Sequence, residues 1–449
     1  MLVTRRSFLA GVAATSLPLA RRLGAIQVEP EVDRIRWQRR AKFGMFVHWG
    51  PYSVAGVEAS WPIINPGPEI TESEYRALPQ RFNPVSFDPN SWIDLAEAAG
   101  QRYMVFTTKH HDGFCMFDSQ YTGYKVTRTP YGKDIVRQLS DACQKRGFPL
   151  GFYYSPPDLN HPGFRDTSKP AAANYRGEPE RAEWPLYLDY MELQLHELLT
   201  RYGRVAEVWF DSDDADTQAR YDGQRFVDVV RRLQPGALIN NRIGVPGDFV
   251  TPEQFVPKAI PVKGIRLDSP DHAAADHAAI TVPKPEEFQP WESCMTINDT
   301  WAYRGKDRNF KSAETLIRTL VEVISRGGNF LLDVGPQPDG QIQPEFQERL
   351  RAVGAWVHRN AAAIYESSYG PIQGQEGIRT TERAGVVYVF VMDAETTALR
   401  LKGLKQPFAR ARLLATGESV ALKATQAGLE VKLDKGMWSD GIPVLELSR

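Results

Sequence analysis

Residues 184–211 read WPLYLDYMELQLHELLTRYGRVAEVWFD. From Trp184 to Tyr202 apolar side chains recur at helical spacing, as on a helix with one face on a core. Gly203 supplies the stop. Val205 to Phe210 then reads as a strand, and Asp211 stands at its end. Helix, tight turn, apolar strand and a carboxylate at the strand's C-terminal end make one α/β unit.

The same unit recurs outward in both directions. Upstream, Lys42 to His48 reads as a short buried strand ending at a polar residue. Ser91 to Ala99 reads as a helix, with Ser91 as its N-cap and Gly100 as its stop. Tyr103 to Thr108 is a strand that runs into Lys109-His110-His111. Lys133 to Arg146 is a helix closed by Gly147, and Pro149 to Tyr154 a strand. Downstream, Tyr221 to Gln234 is a helix, and Ala237 to Asn241 a strand ending at Arg242. Ser312 to Ser325 is a helix, followed by a strand from Asn329 to Val334. Alternation over roughly 300 residues implies a parallel α/β fold.

His48, His110, Asp211 and Arg242 all fall at C-terminal strand ends. A (β/α)8-like barrel gathers its active site at that face. A doubly wound sheet would carry a glycine-rich phosphate turn after its first strand, and none is present. The expected catalytic domain is therefore a (β/α)8-like, TIM-type barrel over residues 26–369. From about Gly370 the pattern changes to strands without intervening helices: Val386 to Val391, Ala398 to Leu401, Glu430 to Leu433 and Val444 to Leu447. Residues 370–449 read as a small C-terminal β-sandwich. Pro257 to Pro290 lacks periodicity and reads as a long loop or insertion.

Composition narrows the functional classes. The chain has 449 residues, with 54 basic and 55 acidic side chains and a net charge of -1. That balance argues against nucleic acid as a partner, because phosphate binding needs a basic excess. Three cysteines exclude a disulfide scaffold. No apolar run long enough for a membrane span follows the N-terminus. Residues 1–25 carry four arginines and no acid. Within them Thr4-Arg5-Arg6-Ser7-Phe8-Leu9, followed by apolar Ala10 to Ala20, resembles a twin-arginine export signal. It implies a periplasmic or secreted protein.

Four segments carry the candidate chemistry. They are Phe43-Gly44-Met45-Phe46-Val47-His48-Trp49-Gly50-Pro51-Tyr52-Ser53, Thr107-Thr108-Lys109-His110-His111-Asp112-Gly113-Phe114, Val208-Trp209-Phe210-Asp211, and Trp291-Glu292-Ser293-Cys294-Met295-Thr296-Ile297-Asn298 with the later Gly328 to Pro336. Taken in order, from about residue 35 to 365, they resemble the α-L-fucosidases of glycoside hydrolase family 29. The resemblance implies a metal-independent, cofactor-free, retaining hydrolase of fucosylated glycans or glycoconjugates.

A carboxylate at the mouth of an apolar strand and flanked by aromatic rings is suited to attack a sugar carbon. In the matching motif the Asp after Trp-Phe is the nucleophile, which makes Asp211 the candidate here. Ser212 follows it where the family often has Gly. A retaining glycosidase also needs an acid/base carboxyl about 5–5.5 Å from the nucleophile. Glu253, in Asp248-Phe249-Val250-Thr251-Pro252-Glu253, resembles the bacterial acid/base segment and is the first choice. Glu292, in the better matched motif, is the second; Asp268, Asp271 and Glu58 remain behind them. By the same resemblance His48, His110 and His111 bind sugar hydroxyls, Arg242 lies close to the sugar, and Trp61 and Trp209 match family positions. Asp333 replaces a common Asn of the family and is expected to be structural only. Adjacent His110 and His111 would face opposite sides of a continuing strand, poor geometry for two ligands of one metal. His272 and His277 fall in the loop. Nothing in the sequence gives Cys115, Cys143 or Cys294 the basic partner of a nucleophile. Three rivals remain: a hydrolase of another deoxy- or galacto-configured sugar, a carbohydrate-binding barrel without catalysis, and a metal-dependent hydrolase.

Overall fold

The computed structural model describes residues 34–449 apart from 66, 68, 213–219, 265–266, 268–281, 405–406 and 427. The candidate export signal, Asp268, Asp271, His272 and His277 lie outside the described residues.

Among the described residues, seven parallel strands form the central sheet: β1 (Phe43–Val47), β2 (Met104–Lys109), β3 (Leu150–Tyr154), β4 (Glu207–Phe210), β5 (Leu238–Ile239), β6 (Glu292–Thr296) and β7 (Asn329–Val334). Their order is β5-β4-β3-β2-β1-β7-β6. The extended segment 249–253 lies between the two edge strands. It makes parallel bridges at Asn240–Phe249 on the β5 side, and at Val250–Trp291 and Glu253–Cys294 on the β6 side. Backbone bonds from Asp248 N to Ile239 O and from Glu292 N to Val250 O continue the ladder across it. The sheet is thus curled as the barrel reading required, with this irregular segment in the eighth position.

Two apolar layers follow from the two-residue period of the strands. Phe46, Val105, Tyr153, Trp209, Leu238, Phe249, Cys294 and Leu331 share the inner cluster. Their strand neighbours Met45, Met104, Phe152, Val208, Ile239, Met295 and Phe330 pack outward against the helices. Those helices include α1 (Pro89–Ala99), α2 (Ile135–Arg146), α3 (Trp184–Arg201), α4 (Gly223–Leu233), α5 (Ala313–Ser325) and α6 (Pro344–Arg359). Asp88, not Ser91, caps α1: its side chain accepts from Asn90 N, Pro89 takes the first turn, and Gly100 closes the helix at φ 82°. Helix α6 and strand β6 were not marked in the sequence. The strand was hidden because Glu292 and Ser293 interrupt its apolar run.

The C-terminal part is two antiparallel sheets. One has the order β13-β12-β16-β10-β9-β8, the other β11-β15-β14. Here β8 is Ser368–Tyr369, β9 Ile378–Arg383, β10 Val386–Val391, β11 Ala398–Leu401, β12 Arg410–Leu413, β13 Ser419–Val420, β14 Leu422–Thr425, β15 Gly428–Lys432 and β16 Val444–Ser448. Val387, Val389, Leu445 and Leu447 meet Leu399, Leu401 and Val431 in the core between the sheets. On the opposite face of β10 and β16, Tyr388, Phe390 and Val444 join the barrel's outer cluster with Trp356 of α6. Among the described residues, no helix is long and apolar enough to cross a membrane.

Candidate active site

The C-terminal mouth of the barrel opens into a cavity of about 310 Å³, lined by residues that include His48, Trp61, His110, His111, Tyr153, Trp209, Asp211, Glu253 and Trp301. The size suits a small ligand. The strand period explains which residues arrive there. On β4, Glu207, Trp209 and Asp211 step up the inner face from the bottom of the barrel to its mouth. Phe249, Thr251 and Glu253 do the same on the bridging segment. His48 continues the inward parity of Phe46.

Asp211 is held from both sides. Its Oδ1 accepts from Arg242 Nη1 at 3.0 Å, and its Oδ2 accepts from the Tyr153 hydroxyl at 2.6 Å. His111 Nε2 lies 3.5 Å from the same Oδ2. Burial alone would raise this carboxyl. The charge of Arg242 and the facing His111 ring, with the bonds from Tyr153 and Arg242, outweigh burial and hold it below the usual range. The backbone is pinned as well: Phe210 N donates to Asn240 Oδ1, and Asn240 Nδ2 donates to Phe210 O.

Arg242 joins the two carboxylates. Its Nη2 donates to Glu253 Oε2 at 2.7 Å while Nη1 serves Asp211. Its Nε donates to Thr251 Oγ1 at 2.7 Å, and the guanidinium lies 4.9 Å from the Trp209 ring centre. Asp211 and Glu253 are therefore brought within the span of one planar fork. The residue after Glu253, Gln254, has φ 59°, and Ser60, beside Trp61, has φ 62°. Backbone of this kind is costly for residues other than glycine and gathers at functional sites.

Glu292 does not reach the site. It is the first residue of β6, in register with Asn329 at the start of β7. Its Oε2 accepts from the Tyr103 hydroxyl and from Gln38 Nε2 at 3.1 Å. Gln38 Nε2 also faces Glu207 Oε2 at 3.4 Å. Glu292 thus belongs to the bottom layer with Glu207, and four residues of strand separate that layer from Asp211, about 13 Å. The second-choice acid/base is on the wrong end of the barrel. The motif match misled because period two keeps Glu292 on the inner face, but at the N-terminal end. Glu58 is also occupied, accepting from Trp301 N and Ala302 N at 3.0 Å each.

The histidine pair departs from the expected geometry. The β2–β3 register shifts between Thr107 and Lys109. This irregularity lets Lys109 point outward to the Tyr154 hydroxyl at 3.0 Å, so His110 turns inward. The strand ends there, and both rings face the cavity with centres 4.3 Å apart. Ser60 Oγ is 2.6 Å from His110 Nδ1, and Ser155 Oγ is 2.6 Å from His111 Nδ1. Burial and the neighbouring His111 and His48 push His110 well below its ordinary value. Burial lowers His111 too, against the pull of Asp211. Both rings are thus neutral and able to donate or accept. His110, His111 and Asp211 bring ligand atoms within 4.8 Å of one another. The expectation that the two rings diverge is corrected. Yet both Asp211 oxygens already accept bonds, one from a guanidinium that a cation would have to displace.

Tyr153, Ser60, Ser155, Thr251 and Asn240 are site residues that sequence reasoning missed. Tyr153 had a signal: it is the inward residue of β3, one step from the strand end. It stacks between His110 and Trp209, with ring centres 5.5 and 5.7 Å away.

The α-L-fucosidase family model matches residues 27–362. Human plasma α-L-fucosidase is 30% identical over 352 residues, 74% of this chain and 69% of the relative. The α-L-fucosidase isoenzyme 1 of Paenibacillus thiaminolyticus is 34% identical with a TM-score of 0.82, covering 93% of this chain and 99% of that one. A Bacteroides thetaiotaomicron α-L-fucosidase of family 29 is 27% identical with a TM-score of 0.78, over 92% and 94%. Fold, site and sequence agree: the chain belongs to the α-L-fucosidase family, glycoside hydrolase family 29.

Proposed function

We propose that this protein is an exported, retaining α-L-fucosidase that removes terminal α-L-fucosyl groups from glycans or glycoconjugates, with Asp211 as nucleophile and Glu253 as acid/base. The observation that carries the reading is the Arg242 fork that holds both carboxylates on one wall of the cavity. Arg242, Tyr153 and His111 keep Asp211 ionised, as a nucleophile must be. Glu253 is the more exposed of the two, with 37% of its side chain accessible against 17% for Asp211. A leaving group departs toward solvent, so the exposed carboxyl is the one placed to protonate it. Glu253 then takes the proton of the incoming water, and fucose leaves with its configuration retained. A related fucosidase from Bacteroides thetaiotaomicron is described as a trapped covalent intermediate with 2-fluoro-fucosyl fluoride, which supports the same route here. Neutral His110 and His111 supply polar contacts for hydroxyls, and Trp209 and Trp61 apolar faces. No metal or cofactor has a role in this scheme.

The test is aryl α-L-fucoside hydrolysis by the wild type, Asp211→Ala, Glu253→Ala and Glu292→Ala. Loss of Asp211 or Glu253 should abolish turnover of poor leaving groups, and azide should restore Glu253→Ala on an activated one. Rescue of Glu292→Ala instead would reverse the assignment. Hydrolysis of a galacto-configured glycoside with none of the fucoside would overturn the sugar. For export, Arg5→Lys combined with Arg6→Lys should leave the protein in the cytoplasm of a twin-arginine-competent host. Unchanged export would remove that part of the proposal.

A further inference from the structure

His48 lines the cavity, and its ring is fixed by more than packing. His48 Nδ1 lies 2.7 Å from Asp333 Oδ1, with both side chains almost fully buried. Asp333 is in register with Phe46 on the neighbouring strand, so it comes up beside His48 at the top of the barrel interior. The His48 backbone N donates to Val334 O, which continues the β1–β7 ladder. Phe46, Trp301, His110 and Tyr153 surround the ring, with centres 4.5 to 5.6 Å away. The ring cannot turn over without breaking these contacts, so Nε2 is the nitrogen left for the cavity.

The proton count of this pair decides what Nε2 can do. With one shared proton, the proton sits between Nδ1 and Asp333, and Nε2 is a bare lone pair. With a second proton, Nε2 carries N–H, whichever partner holds the bridging one. We propose that Asp333 is a positioning residue that turns His48 Nε2 into a hydrogen-bond donor to a fucosyl hydroxyl, so that sugar affinity follows the proton count of the His48–Asp333 pair. The inference rests on the fucosidase reading and assigns a role to a residue that the sequence marked as structural only.

The surroundings place this second proton in the accessible range. Burial pushes the Asp333 carboxyl up to about 7 against the attraction of His48. For His48, burial lowers the value, and Asp333, Glu58 and Asp211 together raise it above the ordinary imidazole. The groups facing the pair are the carboxylates of Glu58 and Asp211, the rings of His110 and His111, and the Tyr52 hydroxyl. His110 is held neutral by its own burial, so no cation stands against the second proton from that side. An imidazolium N–H makes a shorter and stronger hydrogen bond to a hydroxyl than a neutral ring nitrogen does.

Calorimetric titration of L-fucose into the intact enzyme, between pH 5.5 and 8.5 in buffers of different ionisation enthalpy, tests this. The wild type should take up a fraction of a proton on binding, and its affinity should fall as pH rises through the pair's titration, at most about tenfold per pH unit. Asp333→Asn should abolish the proton uptake and flatten the profile. Asp333→Ser is the second carboxylate-free variant, and the melting temperature of each reports its fold. A merely structural role predicts weaker binding by the same factor at every pH, with unchanged proton uptake, and that result would overturn the inference. Folded wild type that binds no L-fucose would overturn the sugar reading and this inference together.

Discussion

Asp211 owes its state to three neighbours from three other strands or strand ends: Tyr153, His111 and Arg242. Removing the Tyr153 hydroxyl takes one donor from Oδ2, so the carboxyl must rise. Tyr153→Phe should therefore shift the acid limb of kcat/KM to higher pH, read from a pH–rate profile on an aryl fucoside. An unshifted limb would mean that Tyr153 does not tune Asp211. Glu253→Gln should cost about 10²–10⁴-fold in kcat on a substrate with a poor leaving group, and far less on an activated aryl fucoside. At this scale the sequence was legible where a residue belongs to a contiguous motif. Asp211, His48, His110, His111 and Trp209 could be named that way, and all line the cavity. Tyr153 could not, and Asp333 was legible only as a structural residue of its motif, because their contacts are with partners 58 and 285 residues away.

At the scale of elements, period two does most of the sorting, and its one irregularity matters most. The register shift in β2 turns His110 inward, and no sequence signal marks it. The same period explains why Glu292 looked catalytic: it faces inward, but in the bottom layer with Glu207. Burial pushes Glu292 up to about 7, above the usual 4.5 of a glutamate. The folded state therefore binds more protons than the unfolded chain between those values, and stability falls as pH rises through that window. Glu292→Gln removes the ionisation, so its Tm relative to wild type should improve from pH 5 to pH 8. A Tm difference independent of pH would contradict this reading. Helix packing gives a second prediction. A Cβ at Gly354 of α6 would sit 1.8 Å from the Ala98 carbonyl oxygen at the end of α1. Backbone cannot yield as a side chain can, so Gly354→Ala should destabilise by about 1–3 kcal/mol or more, measured by denaturant unfolding.

For the whole molecule, the β-domain is part of the barrel's covering. Trp356 Nε1 of α6 donates to Ile442 O at 2.9 Å, Thr381 Oγ1 donates to Ala363 O at 2.7 Å, and Arg379 pairs with Glu322 of α5 at 2.7 Å. The sequence changes pattern near residue 370, and β8 is Ser368–Tyr369. The packing was not legible there, because alternating strands show that a face is buried without showing against what. Ending the chain at residue 369 would expose Trp356 and the outer faces of α5 and α6. Such a chain should aggregate or melt well below the full protein; a soluble, fully active one would show the two parts to be independent. The scheme also uses no metal, so excess chelator should leave hydrolysis unchanged, and loss of activity reversed by a divalent cation would make a metal of the His110–His111–Asp211 cluster.

The central claim is that Asp211 becomes covalently bonded to the sugar. Incubation with 2-deoxy-2-fluoro-fucosyl fluoride, followed by peptide mapping in a mass spectrometer, tests it most directly. A single fluorofucosyl adduct on Asp211, absent from Asp211→Asn, is the predicted result. An adduct on another carboxylate, or turnover of the reagent with release of the inverted sugar and no adduct, would contradict it.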